Sequence, residues 1–204
     1  MNLLPLILSL CIFFINGTEL SLHPLSKYSD SRVLENFENF QFSEKNIIFH
    51  GNSEIYPEIK LTSLFTSPYM ESNSSLLFRI PSGARFESIE VLLSTPYLIP
   101  ELALELEFHL YSTARGGELY FFVEDSASRP HKVSVSRIQF TGWKKIFVPM
   151  LSIPHEDFVL NEKKPIKITG FLLKPPPESE KSREFLVVID NILLHHFNKY
   201  KIRP

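Results

Sequence analysis

The side chains of this sequence that could bind a metal ion or move a proton are scattered along the chain. The histidines are His23, His50, His109, His131, His155, His195 and His196. None of them forms an HxH or HExxH pattern, in which the spacing would place two imidazoles on one metal ion. His195 and His196 are adjacent in an apolar segment, so we expect them to point to opposite faces of a strand. The histidines therefore predict no metal centre.

The carboxylates and hydroxyls do not form a catalytic pattern either. Glu105 and Glu107 could be compared with the paired carboxylates of glycoside hydrolases. Both, however, occupy polar positions of an alternating segment, where charged side chains normally face water. The sequence has no GxSxG motif, and its only cysteine, Cys11, lies in the apolar N-terminal segment. We therefore predict a protein without catalytic residues and, once that segment is removed, without cysteine.

The elements that would position any functional side chain are predicted to be β-strands. The segment ALELEFHLYS (103–112) has an apolar residue at every second position, with polar residues such as His109 between them. This period of two predicts one face against a core and the other in water. A turn with two glycines at 114–117 leads to ELYFFVED (118–125), so we expect a hairpin over 103–125.

The remaining strands follow the same reasoning and determine the predicted fold class. They are expected at 32–40, 76–80, 86–93, 131–140, 145–149, 165–174 and 184–194. No stretch sustains the 3.6-residue apolar period of a helix, and the three prolines within 174–184 predict an exposed loop. Many short strands without interleaved helices predict an all-β fold, a single jelly-roll β-sandwich of the galactose-binding or carbohydrate-binding-module type.

Length and composition are those of one globular domain. The chain has 204 residues, of which 44% are hydrophobic and 22% charged, and it uses 18 phenylalanines but a single tryptophan. Buried aromatic rings remove much apolar surface from water, so such a chain can build a substantial core. The formal net charge of −2 provides no basic field for nucleic acid. We therefore expect no nucleic-acid partner.

The N-terminal segment is predicted to be a secretory signal peptide. Residues 3–15 are apolar, but this run is shorter than the roughly 20 residues that span a bilayer as a helix. It fits a signal peptide at 1–17, cleaved after Gly17, followed by a β-sandwich domain at 18–204 without membrane association. The alternatives are a buried N-terminal element and a lipoprotein signal that ends at Cys11.

The first and last strands of the predicted domain resemble those of carbohydrate-binding and galactose-binding-like jelly rolls. These strands are VLENFENF (33–40) and FLVVIDNILL (185–194). The resemblance implies that the two strands pair, and that Glu38 and Asp190 contribute to a structural calcium site. Hard oxygen ligands suit calcium, which takes six to eight of them. No other cofactor is expected.

Three segments in the last third of the chain carry a family signature. They are IQFTGWKKIFVPMLSIP (138–154), KPIKITGFLLKPPPE (164–178) and REFLVVIDNILL (183–194). Together they resemble the spirochaete flagellar filament outer layer (sheath) protein family, FlaA. The resemblance is carried by the structural signature residues Gly142, Trp143, Gly170 and Asp190.

This resemblance implies a non-enzymatic structural component of the periplasmic flagellar filament, which contributes to filament coating, shape and motility. Its partners would be the flagellin core and other sheath proteins, and its location would be the periplasm. The turn STARGG (112–117) and the short length depart from the family pattern and indicate a divergent or accessory member.

The alternative is an exported carbohydrate-binding module on the same fold. The aromatic side chains that could form its sugar-stacking platform are Tyr97, Tyr111, Tyr120 and Phe122. The lack of further tryptophan weighs against this interpretation, because sugar platforms favour tryptophan. Trp143 itself is predicted to lie in the core beside Phe140 and Ile146, with Lys144 and Lys145 facing water or a partner.

Overall fold

Two antiparallel β-sheets packed face to face make up the described part of the chain. The computed structural model describes residues 29–40, 44–113, 116–155, 164–176 and 183–197. The predicted signal peptide at 1–17 lies outside these residues, as does much of the predicted proline-rich loop. Within them, the predicted all-β sandwich is confirmed.

The first sheet has six strands. They are β1 (Ser29–Glu35), β3 (Glu58–Thr62), β4 (Ser75–Ile80), β6 (Ala103–Ser112), β9 (Gly142–Pro149) and β11 (Phe185–Phe197). Their order is β3-β4-β11-β6-β9, and β1 also pairs with β11. The pairing of the first and last strands, which the jelly-roll resemblance implied, is therefore confirmed.

The second sheet has five strands. They are β2 (Ile47–His50), β5 (Ser88–Ile99), β7 (Glu118–Glu124), β8 (Pro130–Arg137) and β10 (Ile166–Lys174), in the order β2-β5-β10-β7-β8. A short 3₁₀ helix, Glu44–Asn46, precedes β2 and is the one helix in the described ranges. None of the residues that the structure places belongs to a helix long and apolar enough to cross a bilayer.

The core lies between the two sheets and is built from the apolar side of each alternating strand. Phe108 of β6 and Phe121 of β7 are both fully buried, and their ring centroids are 5.7 Å apart across the sandwich. Phe78 and Phe171 are buried in the same cluster. Each such ring contributes about 2–3 kcal/mol through its removal from water, so the phenylalanine-rich composition is explained by the core.

The predicted hairpin over 103–125 is wrong. β6 pairs with β9 and β11, whereas β7 pairs with β8 and β10, so the turn between β6 and β7 carries the chain from one sheet to the other. Both strands have an apolar face, and these two faces meet across the sandwich, as the contact between Phe108 and Phe121 shows. The hairpin in this region is formed by β7 and β8.

Two other predictions about the strands need correction. The strand predicted at 32–40 ends at Glu35, because the chain turns at Phe37, whose φ is 61° and whose side chain is fully buried. β2 and β3 were not predicted, since both are edge strands of only four and five residues, too short to reveal a period.

Candidate functional site

The outward side of the five-stranded sheet is a mixed aromatic and charged surface. Its central side chains are Glu90, Leu92, Glu118, Tyr120, Phe122, Glu124, Lys132, Ser134, Lys167, Leu172 and Lys174. We call this surface the Tyr120 face. It arises because Leu119, Phe121 and Val123 of β7 are buried in the core, which turns Tyr120 and Phe122 outward.

Tyr120 lies at the centre of this face and is held there by charged neighbours. Its hydroxyl donates a hydrogen bond to Oε2 of Glu118 at 2.5 Å. The ammonium groups of Lys132 and Lys174 lie over its ring, 4.9 and 5.4 Å from the centroid. The hydrogen bond to Glu118 raises the pKa of Tyr120 and lowers the pKa of Glu118. At neutral pH, Tyr120 is therefore protonated and Glu118 is ionised.

Phe122 extends the aromatic surface two residues along the same strand. In the neighbouring strand β10, a register shift between Ile168 and Gly170 places Gly170 opposite both Phe122 and Leu92. A Cβ added to Gly170 would lie 2.6 Å from the carbonyl oxygen of Val91, which leaves no room for a side chain. Gly170 is itself buried, with the Leu92 side chain close by, so the register shift brings β5 and β10 close together beside Phe122.

The charged side chains around this platform differ in how they are paired. Lys167 Nζ lies 2.5 Å from Glu124 Oε1, a close ion pair. Lys174 Nζ lies 3.9 Å from Glu118 Oε2, a much weaker one. Lys132 is exposed, and no carboxylate in the described ranges lies within ion-pair distance of it. Two flexible ammonium groups beside Tyr120 are therefore only weakly neutralised.

The outward side of the six-stranded sheet is organised differently, because residues 63–74 cover part of it. We call these residues the covering segment. The prediction that Glu107 and His109 face water is wrong, since their exposed fractions are only 5% and 1%. The alternation itself is correct, because both side chains point away from the core. They are buried by the covering segment, where Tyr69 packs its ring 5.3 Å from that of His109.

Hydrogen bonds connect the covering segment to the sheet. Ser67 Oγ lies 2.8 Å from Nδ1 of His109, whose Nε2 lies 3.0 Å from Oε1 of Glu107. The Ser67 backbone amide donates to Oδ2 of Asp190 at 2.7 Å. A serine, a histidine and a carboxylate also make up hydrolase triads, but Ser67 is only 6% exposed. A substrate could not reach it unless the segment moved, so we assign these contacts to structure.

Glu107 is the centre of this network. Besides His109, it contacts Nζ of Lys145 at 2.7 Å and Nε2 of His195 at 3.0 Å. Burial pushes the pKa of Glu107 upward, but hydrogen bonds from Lys145, His109 and His195 outweigh it and hold the pKa below its usual value. His195 and His196 were predicted to point to opposite faces, and His195 is the one that points outward to Glu107.

The two residues predicted to bind calcium contact the same part of the covering segment. Glu38 Oε1 accepts a hydrogen bond from the amide of Asn73 at 2.6 Å, and Asp190 is hydrogen-bonded by Ser72. Oδ1 of Asp190 and the side-chain amide of Asn191 are buried and have no hydrogen-bond partner among the described residues.

These orphaned oxygens are ligands of the kind that calcium prefers. No group of three or more His, Cys, Asp or Glu side chains in the described ranges is arranged to hold a metal ion. The side chains therefore fit calcium in part, and the calcium site stays a prediction.

The structure places Trp143 outside the core, contrary to the prediction. Trp143 is partly exposed on the outward side of the six-stranded sheet, with its ring 5.5 Å from that of Tyr111. Ile146 and Phe140 lie toward the core, on the opposite side of the sheet. The facing of β9 is determined by its register with β6, in which Ile146 lies opposite the buried Phe108 and Trp143 lies opposite Tyr111.

Of the four aromatic residues predicted for a sugar platform, the structure brings two together. Tyr97 donates a hydrogen bond to Oε2 of Glu35 at 2.6 Å beside a depression of about 210 Å³. Tyr111 packs between Trp143 and the covering segment. Tyr120 and Phe122 share the Tyr120 face. The lysines around Tyr120 were not predicted, because the strand neighbours of β7 could not be identified from the sequence.

Comparison with known proteins supports the fold. No protein-family model matches the chain, and no curated protein sequence matches it. Solved structures do match. They include the family 11 carbohydrate-binding module CtCBM11, with 16% identity over 83% of this chain and 96% of that chain and a TM-score of 0.50.

A family 30 carbohydrate-binding module matches with 12% identity over 82% of this chain and 99% of that chain, with a TM-score of 0.50. An exo-β-agarase matches with 16% identity over 81% of this chain but 25% of that chain, with a TM-score of 0.51. The predicted jelly-roll β-sandwich of the carbohydrate-binding-module type is thereby confirmed. At these identities the ligand has to be argued from the surface itself.

Proposed function

We propose that this chain is a non-catalytic carbohydrate-binding β-sandwich, and that the Tyr120 face is its binding surface. The observation that carries the proposal is the outward placement of Tyr120 and Phe122 on one strand, where both side chains are partly exposed. Residues two apart on a strand are roughly 7 Å apart, so two consecutive sugar rings could each lie against one aromatic ring.

The polar groups of the face suit such a ligand. Stacking on an aromatic ring uses the apolar C–H surface of a sugar, and its hydroxyl groups then need hydrogen-bond partners. Glu118, Ser134 and Lys174 lie next to Tyr120 and offer both donors and acceptors. The face therefore combines the apolar and polar contacts that a sugar chain needs.

The test is a glycan array followed by calorimetric titration of each bound oligosaccharide. Tyr120→Ala is expected to weaken binding at least tenfold, because the stacking surface is removed. Phe147→Ala is the matched control, since Phe147 is an aromatic residue that is 50% exposed on the other sheet. Binding that survives Tyr120→Ala, or that is lost equally in Phe147→Ala, would contradict the proposal.

We also propose a second function, a FlaA-like coat or accessory protein of the periplasmic flagellar filament, supported by the resemblance of the segment 138–154. Much of this segment forms β9, which pairs only with β6 among the described strands and leaves its other edge open. Trp143, Lys145 and Phe147 point outward from it. Open strand edges and exposed aromatic residues can form protein interfaces, here with flagellin or other sheath proteins.

Isolation of periplasmic filaments tests this second function. If the chain coats the filament, it will copurify with flagellin at a constant ratio, and Phe147→Asp will release it into the soluble periplasmic fraction. A chain that is absent from washed filaments, or a source cell without periplasmic flagella, would rule this function out.

A further inference from the structure

The distribution of charge on the Tyr120 face bears on which sugars it can bind. Lys132 comes from β8 and Lys174 from β10, the two strands that flank β7. Both ammonium groups lie over the same ring, at 4.9 and 5.4 Å from its centroid. A sugar that stacks on Tyr120 must therefore lie beside these two ammonium groups or displace them.

A neutral sugar and an acidic sugar differ in what this displacement costs. Lysine side chains are long and flexible, and an exposed cation over an aromatic ring gains a modest interaction energy. A neutral sugar that stacks on the ring removes the interaction between lysine and the ring, and it contributes only hydroxyl groups as new contacts. An acidic sugar that stacks on the ring also places a negative charge beside the ammonium groups.

The carboxylates of the protein leave these two lysines available. Glu118 accepts the hydrogen bond of Tyr120 and lies 3.4 Å from Nε of Arg137, so its contact with Lys174 at 3.9 Å is the weakest of the three. Glu124 is occupied by Lys167. Lys132 has no carboxylate partner among the residues that the structure describes.

We propose that the Tyr120 face is selective for anionic polysaccharides, whose pyranose rings carry carboxylate or sulfate groups. The inference rests on the proposed carbohydrate-binding function and names its ligand class. Tyr120 stacks on a sugar ring, while Lys132 and Lys174 bind its anionic group from either side of β7. Phe122 supports the next sugar ring.

The experiment titrates the full chain with three hexasaccharides, one neutral, one composed of uronic acid units and one sulfated. The wild-type protein is expected to bind at least one anionic hexasaccharide about tenfold more tightly than the neutral one. Lys132→Gln combined with Lys174→Gln will remove this preference. Higher salt will weaken the anionic complex and leave neutral binding unchanged, since exposed charges are screened.

Lys144→Gln is the matched control, because Lys144 also lies over an aromatic ring, that of Phe140, at 5.7 Å. It should keep the preference. Polyaspartate tests for general charge attraction. If the protein binds polyaspartate as tightly as it binds the acidic hexasaccharide, the inference is overturned. Equal or tighter binding of the neutral hexasaccharide would overturn it while leaving the carbohydrate function intact. If no sugar binds, both proposals fail.

Discussion

Two buried carboxylates beneath the covering segment have pKa values shifted in opposite directions. Burial raises the pKa of Asp190, and hydrogen bonds from Ser67 and Ser72 offset this only in part. Glu107, equally buried, has a lowered pKa because Lys145 and two histidines contact it. The difference follows from their partners, since one oxygen of Asp190 has no hydrogen-bond donor within the part of the chain that the structure describes.

The two carboxylates should therefore affect stability with opposite pH dependence. A carboxyl whose pKa is raised on folding stabilises the protein below its unfolded pKa and loses that contribution as pH rises through the folded value. For Glu107 the contribution is present above the unfolded pKa and is lost as pH falls through the folded value. Urea unfolding in a chelator should show Asp190→Asn gaining stability relative to the wild type between pH 4 and pH 7.

The companion variant Glu107→Gln should lose about 1–2 kcal/mol at pH 7, because it removes the ion pair with Lys145, whose unpaired ammonium is 40% exposed and screened by solvent. This loss should shrink toward pH 4. Both pH trends are measured against the wild-type protein in the same buffers. A parallel pH dependence of the two variants would contradict the assignment of opposite pKa shifts.

The predicted calcium site gives a separate test at the residue scale. If calcium binds at Glu38 and Asp190, calcium at about 100 times its Kd will add roughly 2.7 kcal/mol of stability. In a chain of this length, that corresponds to a rise in Tm of about 5–10 °C. Asp190→Asn should abolish the rise, whereas Glu90→Gln on the other sheet should keep it. No calorimetric heat with calcium and no change in Tm would rule the site out.

The elements around the Tyr120 face depend on a turn and on a glycine. The β7–β8 turn is organised by Asp125, whose Oδ1 accepts hydrogen bonds from the amides of Ala127 and Arg129, each at 2.9 Å. Its Oδ2 contacts Nε of Arg129 and Nε2 of His131, also at 2.9 Å. Burial would raise the pKa of Asp125, but these hydrogen bonds lower it to about 2.

Asp125→Asn should destabilise the protein at neutral pH. The lowered pKa means that the carboxylate contributes above its unfolded pKa, and that this contribution is lost as pH falls toward 2. We expect a loss of about 1 kcal/mol at pH 7, reduced by solvent screening around the exposed Arg129 side chain. Urea unfolding at pH 7 and pH 3 measures it. An equal loss at both pH values would show that the charge is unimportant.

Gly170 and Gly142 provide a matched pair of substitutions. Gly170→Ala places a methyl group against the Val91 carbonyl, so the strands β5 and β10 must separate, at about 2–3 kcal/mol. Gly142→Ala meets no atom within 4 Å, and only its positive φ opposes it, at about 1 kcal/mol. Chemical denaturation measures both. If Gly170→Ala costs no more than Gly142→Ala, the close approach at the bulge is not a constraint.

The accuracy of the sequence-based prediction also differs between elements. The apolar positions of 103–112 were assigned to the correct side, because a period of two depends only on the strand itself. The burial of Glu107 and His109 could not be predicted, since the covering segment has no periodic pattern. The hairpin over 103–125 failed for a related reason, because a glycine turn does not specify which sheet the next strand joins. Tyr120 and Phe122 were detectable, as aromatic residues at the polar positions of an alternating strand.

At the scale of the whole molecule, the sandwich separates two surfaces that could act independently. The Tyr120 face and the β9 edge lie on different sheets, with the core cluster that includes Phe108 and Phe121 between them. Both outward surfaces carry aromatic residues, but Trp143 is tied into its surroundings. Its carbonyl accepts a hydrogen bond from the Tyr69 hydroxyl at 3.1 Å, and its ring packs on Tyr111. Tyr120 lies opposite Leu172 of β10, and two lysine ammonium groups lie over its ring.

This separation leads to opposite effects of two aromatic-to-alanine substitutions. Trp143→Ala should lower the free energy of unfolding by about 2 kcal/mol, less than the 3–5 kcal/mol of a buried aromatic residue, because the ring is only partly buried. It should leave the Kd for sugars within twofold. Tyr120→Ala should weaken sugar binding at least tenfold, yet change the free energy of unfolding by less than about 1 kcal/mol. Calorimetric titration and urea unfolding of both variants test the pair. Sugar binding that depends on Trp143 as strongly as on Tyr120 would move the binding surface to the other sheet.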